Sequence, residues 1–179
     1  MADPSMRPIL VLTGGPAVGK STTASLVARQ CARAAVIDVD DVRQFVVSGA
    51  AAPWDGAEGL AQQRLGAENA CGLARRFHEH GFNVIIADVL TPDTLQLYRQ
   101  QLPVCLIVRL YVTPAEARCR AGTRHVYLTD AEFDDLHDQD RRYPPPADRH
   151  LDVTALTIVD QTTAVIAIWA WNRLLPLTF

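Results

Sequence analysis

Short apolar runs separated by longer stretches of helical periodicity organise this chain. Ile9-Leu10-Val11-Leu12, Ala35-Val36-Ile37, Val84-Ile85-Ile86-Ala87 and Val104 to Val112 are brief, continuously apolar segments, which predicts strands buried on both faces. Leu151-Asp152-Val153 predicts a shorter fifth strand. Between them, Thr23, Leu26, Val27, Cys31 and Ala34 fall on one helical stripe. Ala70, Leu73, Ala74 and Phe77 fall on another, stopped by Gly81. Thr91-Pro92-Asp93 reads as N-cap, first helical residue and first-turn acid, and Thr113-Pro114-Ala115-Glu116 repeats the pattern with Glu116 completing a capping box. Thr162 to Leu175 predicts a strongly apolar final helix, and Ser48 to Gly56 a loop. Strands alternating with helices predict an α/β fold, a parallel five-stranded sheet flanked by helices.

The length, 179 residues, suits one such domain, residues 1–179, and is too short for two. Hydrophobic residues make up 49% and charged residues 21%, ordinary for a globular protein. A formal charge of −3 argues against a nucleic-acid partner held by phosphate neutralisation. Cysteines 31, 71, 105 and 119 form no C-x-x-C pair and predict core thiols in a reducing compartment rather than a zinc site. Met1 to Pro8 has no apolar signal region and no run of roughly eighteen apolar residues occurs, so the expectation is a cytoplasmic protein with no membrane partner.

The candidate chemistry begins at Gly14-Gly15-Pro16-Ala17-Val18-Gly19-Lys20-Ser21, followed by Thr22. Two glycines five apart, then Lys and Ser, between a predicted strand and a predicted helix, match the phosphate-binding loop. Its glycines let the backbone curl until N–H groups point inward, where the helix dipole also favours an anion. Lys20 is expected to reach the β- and γ-phosphates and Ser21 to ligate Mg²⁺, so ATP and Mg²⁺ are the expected cofactors.

Asp38-Val39-Asp40 closes the second strand, at the edge where parallel sheets bind ligands. Alternation along that strand would put both carboxylates on one side, one supporting Mg²⁺ and the other taking the proton of an attacking hydroxyl. A second reading makes Asp38 a helix N-cap and Asp40 and Asp41 a solvated first turn. Asp88, ending the third strand, has the form of a Walker B acid and is a further metal or substrate contact. Trp54 and the weakly charged region around it predict a partly apolar acceptor pocket, or loop packing.

In this order the landmarks resemble the small P-loop kinases, the group containing shikimate kinase, gluconate kinase and chloramphenicol phosphotransferase. The matching pieces are Gly14 to Thr22, Asp38-Val39-Asp40, the strand ending at Asp88, arginines 118 to 124 and Leu151-Asp152-Val153-Thr154. The resemblance implies a P-loop NTPase fold with a helical lid over about 114–146. It implies Asp40 as the acceptor-side catalytic acid and Asp38 near the metal. It implies Arg120 and Arg124 as lid arginines on the phosphates, Arg118 against adenine, and residues 152–155 along the base. Shikimate itself is not expected: Asp88 replaces a glycine-rich turn, and the substrate-carboxylate arginines have no match. The expected reaction is phosphoryl transfer to a hydroxyl of a small molecule, an antibiotic or nucleoside-like metabolite of the self-resistance type. A nucleotide kinase, using Arg43, Arg64, Arg75 or Arg76 on an acceptor phosphate, is the alternative; a nucleotide-dependent switch is another.

Other features have plainer readings. His78 and His80, two apart on a helix, make a poor metal pair. The acidic run at 130–140 predicts a solvated helix face, with Arg141 and Arg142 either clamping phosphate or pairing with Asp138 or Asp135. In the final helix Val165, Ile168, Trp169 and Leu175 share a face that Ile166 and Trp171 leave, which predicts either a homodimer through this helix or burial among its own neighbours.

Overall fold

In a computed structural model that describes residues 7–122 and 129–171, the apolar runs become the strands of one sheet. Strand β1 (Ile9–Thr13) leads through the glycine loop into α1 (Lys20–Ala28), and β2 (Ala34–Asp38) into α2 (Val39–Arg43) and α3 (Gly56–Glu79). Then come β3 (Asn83–Ala87), α4 (Pro92–Gln101), β4 (Cys105–Tyr111), α5 (Pro114–Ala121), α6 (Asp130–Arg142), β5 (Arg149–Asp152) and α7 (Ile158–Trp171). Every pairing is parallel, in the order β2-β3-β1-β4-β5. The step from β3 to β4 crosses β1, so the direction of winding reverses at the carboxyl ends of the central strands. The crevice there is where open α/β sheets bind ligands.

Alternation divides the core into two layers. Val11, Ile86 and Ile107 face α2, α3 and α4, while Leu10, Leu12, Ile85 and Leu110 face α1 and α7. Both faces are covered because parallel strands require crossovers, and this explains the unbroken apolar runs.

Several expectations need correction in detail. The inner face of α3 is built from Gly59, Gly66, Ala67, Ala70, Cys71 and Ala74. Leu73 and Phe77, assigned to that face by spacing, are both 39% exposed. Small residues let α3 press close to α2 and the sheet, which large side chains would prevent. Helix α1 stops at Ala28, so Ala34 belongs to β2 rather than to the helix. Thr113 caps α5 by accepting from the Glu116 N–H, but the Glu116 carboxylate turns to Arg120 instead of closing the box. Cys71 and Cys105 are buried, whereas Cys119 is exposed. Helix α7 begins at Ile158, four residues early, and buries Trp169, whose indole N–H donates to the Pro8 carbonyl at 2.8 Å. Trp171 is 68% exposed; Leu175 lies outside the described residues. Among the described residues no helix is long and apolar enough to cross a membrane.

Candidate active site

The glycine loop is shaped by residues of alternating hand. Gly14, Ala17 and Gly19 have φ of 134°, 58° and 92°. A Cβ at Gly14 would collide with the Leu110 carbonyl, so the loop can cross the end of β4 only with glycine there. Gly19 takes the N-cap position of α1 and brings no capping side chain, which leaves the first N–H groups for an anion. Lys20 lies across the loop, its Nζ donating to the carbonyls of Gly14 at 2.8 Å and Gly15 at 3.0 Å. Burial lowers its pKa, opposed by Asp40, Asp88 and Asp38 in that order. Ser21 and Thr22 are exposed at the head of α1. The loop fits a nucleoside triphosphate: inward-turned backbone, an ammonium and a free hydroxyl converge at one helix start.

Two residues absent from the sequence argument hold this loop. Gln161 of α7, fully buried, donates from Nε2 to the Val18 carbonyl at 3.0 Å and to Thr23 Oγ1 at 2.8 Å. His137 of α6 lies against Gly15, where a Cβ would be 3.0 Å from the imidazole Cε1. Its ring stacks on Phe133 with centroids 4.6 Å apart, and Phe133 packs with Ala17 and Ala117. Burial pushes the His137 pKa down, against the pull of the Pro16 carbonyl and Asp140. The expected lid helix therefore rests on the phosphate loop through an apolar contact.

The acids are not arranged as strand alternation predicted. β2 ends at Asp38, whose Oδ1 accepts from the Asp40 N–H at 3.1 Å and caps α2. Asp40 is on the first helical turn, exposed, and bonds the Arg43 guanidinium at 2.6 Å. The other terminal nitrogen of Arg43 donates to Asp88 at 2.9 Å. Asp88 is buried and also accepts from Tyr98 Oη at 3.0 Å and the Val89 N–H at 2.8 Å. Burial raises its pKa to about 6 despite Arg43, Tyr98 and Val89. Asp88 was expected to touch metal or acceptor; both its oxygens are instead engaged by protein donors. Asp38 is half-buried and occupied as a cap, which leaves Asp40, paired with Arg43 but exposed, as the most accessible carboxylate of the three.

The arginines also differ from expectation. Arg118 is exposed and paired with Asp134 at 2.5 Å, and it does not line the cleft beside Val18. Arg120 bonds Glu116 at 2.7 Å and the Val153 carbonyl at 2.7 Å, pinning the turn between β5 and α7 instead of reaching the phosphates. Arg124 lies outside the described residues. Arg141 and Arg142 both pair with Asp138. A cleft of about 220 Å³ opens beside Val18, bordered by Arg109, Tyr111, His137, Asp152 and Thr154. Arg109, missed in the sequence, is nearly buried and held by Asp140 at 2.6 Å. Trp54 is 51% exposed on the α2–α3 segment, in company with exposed Phe45, Val47 and Leu60.

Of the four arginines available to a nucleotide kinase, Arg75 and Arg76 sit at the end of α3 that leads into the amino end of β3, opposite the site. His78 beside them bonds the Arg7 carbonyl, just before β1, which fixes that end. Arg64 is committed to Asp93 and Glu68. Arg43 alone of the four touches a site carboxylate.

No protein-family model matches the sequence, and no curated protein matches it. Solved structures do. Shikimate kinase from Acinetobacter baumannii, in complex with shikimate, superposes with a TM-score of 0.67 at 17% identity, covering 96% of this chain and 97% of that one. A sugar kinase from Janibacter sp. gives 0.69 at 15% identity, covering 92% and 94%. A gluconokinase from Sinorhizobium meliloti gives 0.62 at 16% identity, covering 93% and 95%. At these identities the likeness is one of fold. Fold and loop together define a protein of P-loop architecture. More narrowly, the fold is that of the small P-loop kinases, with which the chain aligns over nearly its whole length.

Proposed function

We propose that this protein is an ATP-dependent kinase that phosphorylates a hydroxyl group of a small molecule. One observation carries the reading: Asp40, exposed at the head of α2, and Lys20, at the head of α1, both stand at the carboxyl edge of the parallel sheet, where Asp88 at the end of the intervening strand is tied to Asp40 through Arg43. A base candidate and a phosphate-binding ammonium thus face one crevice, the arrangement that separates a kinase from a nucleotide switch. ATP with Mg²⁺ would supply the transferable phosphoryl group and part of its charge neutralisation. The loop backbone from Gly14 to Gly19 and the head of α1 would hold the phosphates, and Ser21 the metal ion. Lys20 would bear on charge developing at the transferring group. Asp40 takes the proton of the acceptor hydroxyl as its oxygen bonds to phosphorus and ADP leaves; positioning, more than basicity, sets the rate. The cleft between Val18 and Thr154 is the base site, bordered by the Arg120-pinned turn in place of Arg118.

The acceptor we infer carries an apolar body, an antibiotic or nucleoside-like metabolite. Phe45, Val47, Trp54 and Leu60 support this, since these exposed apolar residues belong to the segment that continues from Asp40 and Arg43. ADP release measured with Mg²⁺ and a panel of hydroxylated antibiotics and nucleosides tests the reading. Asp40→Asn should lower kcat on the order of 10²–10⁴-fold while ATP affinity stays. Lost ATP affinity with kcat preserved at saturation would remove Asp40 as the base.

A further inference from the structure

Asp40 stands on a five-residue helix at the surface, a poor platform for a group that must meet a hydroxyl in one geometry. The structure supplies a brace. Arg43, one turn along, holds Asp40 with one terminal nitrogen and Asp88 with the other, at 2.6 Å and 2.9 Å. Asp88 cannot swing, because its oxygens are also fixed by the Val89 N–H and by Tyr98, which is fully buried in α4. The stem of Arg43 is seated as well. It lies over Gly66 of α3, where a Cβ would stand 3.0 Å from its Cγ and 3.3 Å from its Nε. That Nε is buried and has no hydrogen-bond partner among the described residues. A buried donor left unpaired costs free energy, so the guanidinium is held by its two ends and its seat rather than by its own best solvation.

We infer that Arg43 is a positioning residue for Asp40, anchored through the buried Asp88–Tyr98 pair and seated on Gly66. This deepens the kinase reading and rests on Asp40 being its base. The chain of contacts runs from the sheet interior to the reacting edge: Tyr98 fixes Asp88, Asp88 fixes Arg43, and Arg43 fixes the carboxylate. No member except Asp40 needs to touch substrate. Misplacing a reacting group by about 1 Å costs on the order of 10²-fold in rate, so a brace of this kind is visible in kcat even though it makes no bond to the acceptor.

The test has a chemical arm and a structural arm. In the first, ATP turnover is followed with a responsive acceptor, or with water where none responds. Arg43→Ala should lose on the order of 10²-fold in kcat with KM for ATP little changed. Added guanidinium ion should restore part of that loss, since a free cation can refill the site between Asp40 and Asp88. Tyr98→Phe, one link further away, should lose several-fold in kcat, again without a change in KM for ATP. Wild-type turnover in Tyr98→Phe, or a folded Arg43→Ala enzyme that guanidinium does not rescue, overturns the assignment. The structural arm needs no acceptor: the Arg43 Nε–H signal in nitrogen-15 spectra should exchange slowly in the wild type and quickly in Tyr98→Phe. Equal exchange in both overturns the brace. A wild type that never turns ATP over refutes the kinase reading alone, and the exchange comparison still decides the brace.

Discussion

Replacing Asp88 by Asn should stabilise the protein near pH 8 and leave its stability unchanged near pH 4. Burial raises the Asp88 pKa from 3.8 to about 6. The folded protein therefore binds this proton more tightly than the unfolded chain, and its stability falls as pH rises through that window. At about 1.36 kcal/mol per unit, a rise of this size corresponds to about 3 kcal/mol, present below the lower pKa and lost above the upper one. Asn copies the protonated side chain. Its amide oxygen can accept from Arg43 and Val89 as Oδ1 does, and Tyr98 can turn its hydroxyl to accept from the amide nitrogen. Urea unfolding of both proteins from about pH 4 to pH 8 measures the difference directly, since titrations common to the two cancel. The gap should open from near zero to about 3 kcal/mol, an increase of roughly 6–12 °C in Tm. A gap that is constant with pH, or an Asn variant that is less stable near pH 8, refutes the reasoning.

Other outcomes follow from the same contacts. Gln161→Leu removes both bonds to the phosphate loop from a fully buried position and should cost roughly 1–3 kcal/mol by chemical denaturation, with ATP binding weakened in parallel; unaltered ATP affinity would deny it a hold on the loop. Hydrogen exchange in α5 and α6 should slow when an ATP analogue and Mg²⁺ bind, because α6 already touches the loop through Phe133 and His137; unchanged exchange would make this region a fixed wall, not a lid. The homodimer through α7, one of the two readings of that helix, is tested by sedimentation of wild type beside Trp171→Glu: a dimer that the change converts to a folded monomer supports it, and a wild-type monomer removes it.

What was readable in the sequence was local. The glycine loop, the strand before it and the Thr91 and Thr113 caps depend on neighbours within a few residues, and the structure has them. The acids were placed at the right edge of the sheet but given the wrong relation, because one residue decides whether Asp40 continues a strand or starts a helix. Asp88 shows the other limit. Its position was legible, but its partners come from residues 43 and 98, and only their convergence turns a strand-end acid into a buried anchor. Gln161 is 143 residues from Val18 and left no local signal at all. On α3, the stripe Ala70, Leu73, Ala74 and Phe77 finds the two buried alanines and misses Gly66, whose lack of a side chain gives Arg43 its close seat. The lid role of Arg120 rests on resemblance to lid arginines, yet its partners include backbone carbonyls of a turn formed more than thirty residues later.

The way the phosphate loop is held has a consequence for synthesis on the ribosome. Its residues leave the exit tunnel well before those that hold it, since Gly14 is seated on Leu110, and Val18 and Thr23 are clamped by Gln161. Long-range closure of this kind is slow and comes late in folding. A nascent chain halted before α7 would carry the whole nucleotide signature and lack the clamp that sets it. Nucleotide capture by ribosome-bound chains of increasing length should therefore rise with the emergence of α7, not with that of the loop that bears the motif.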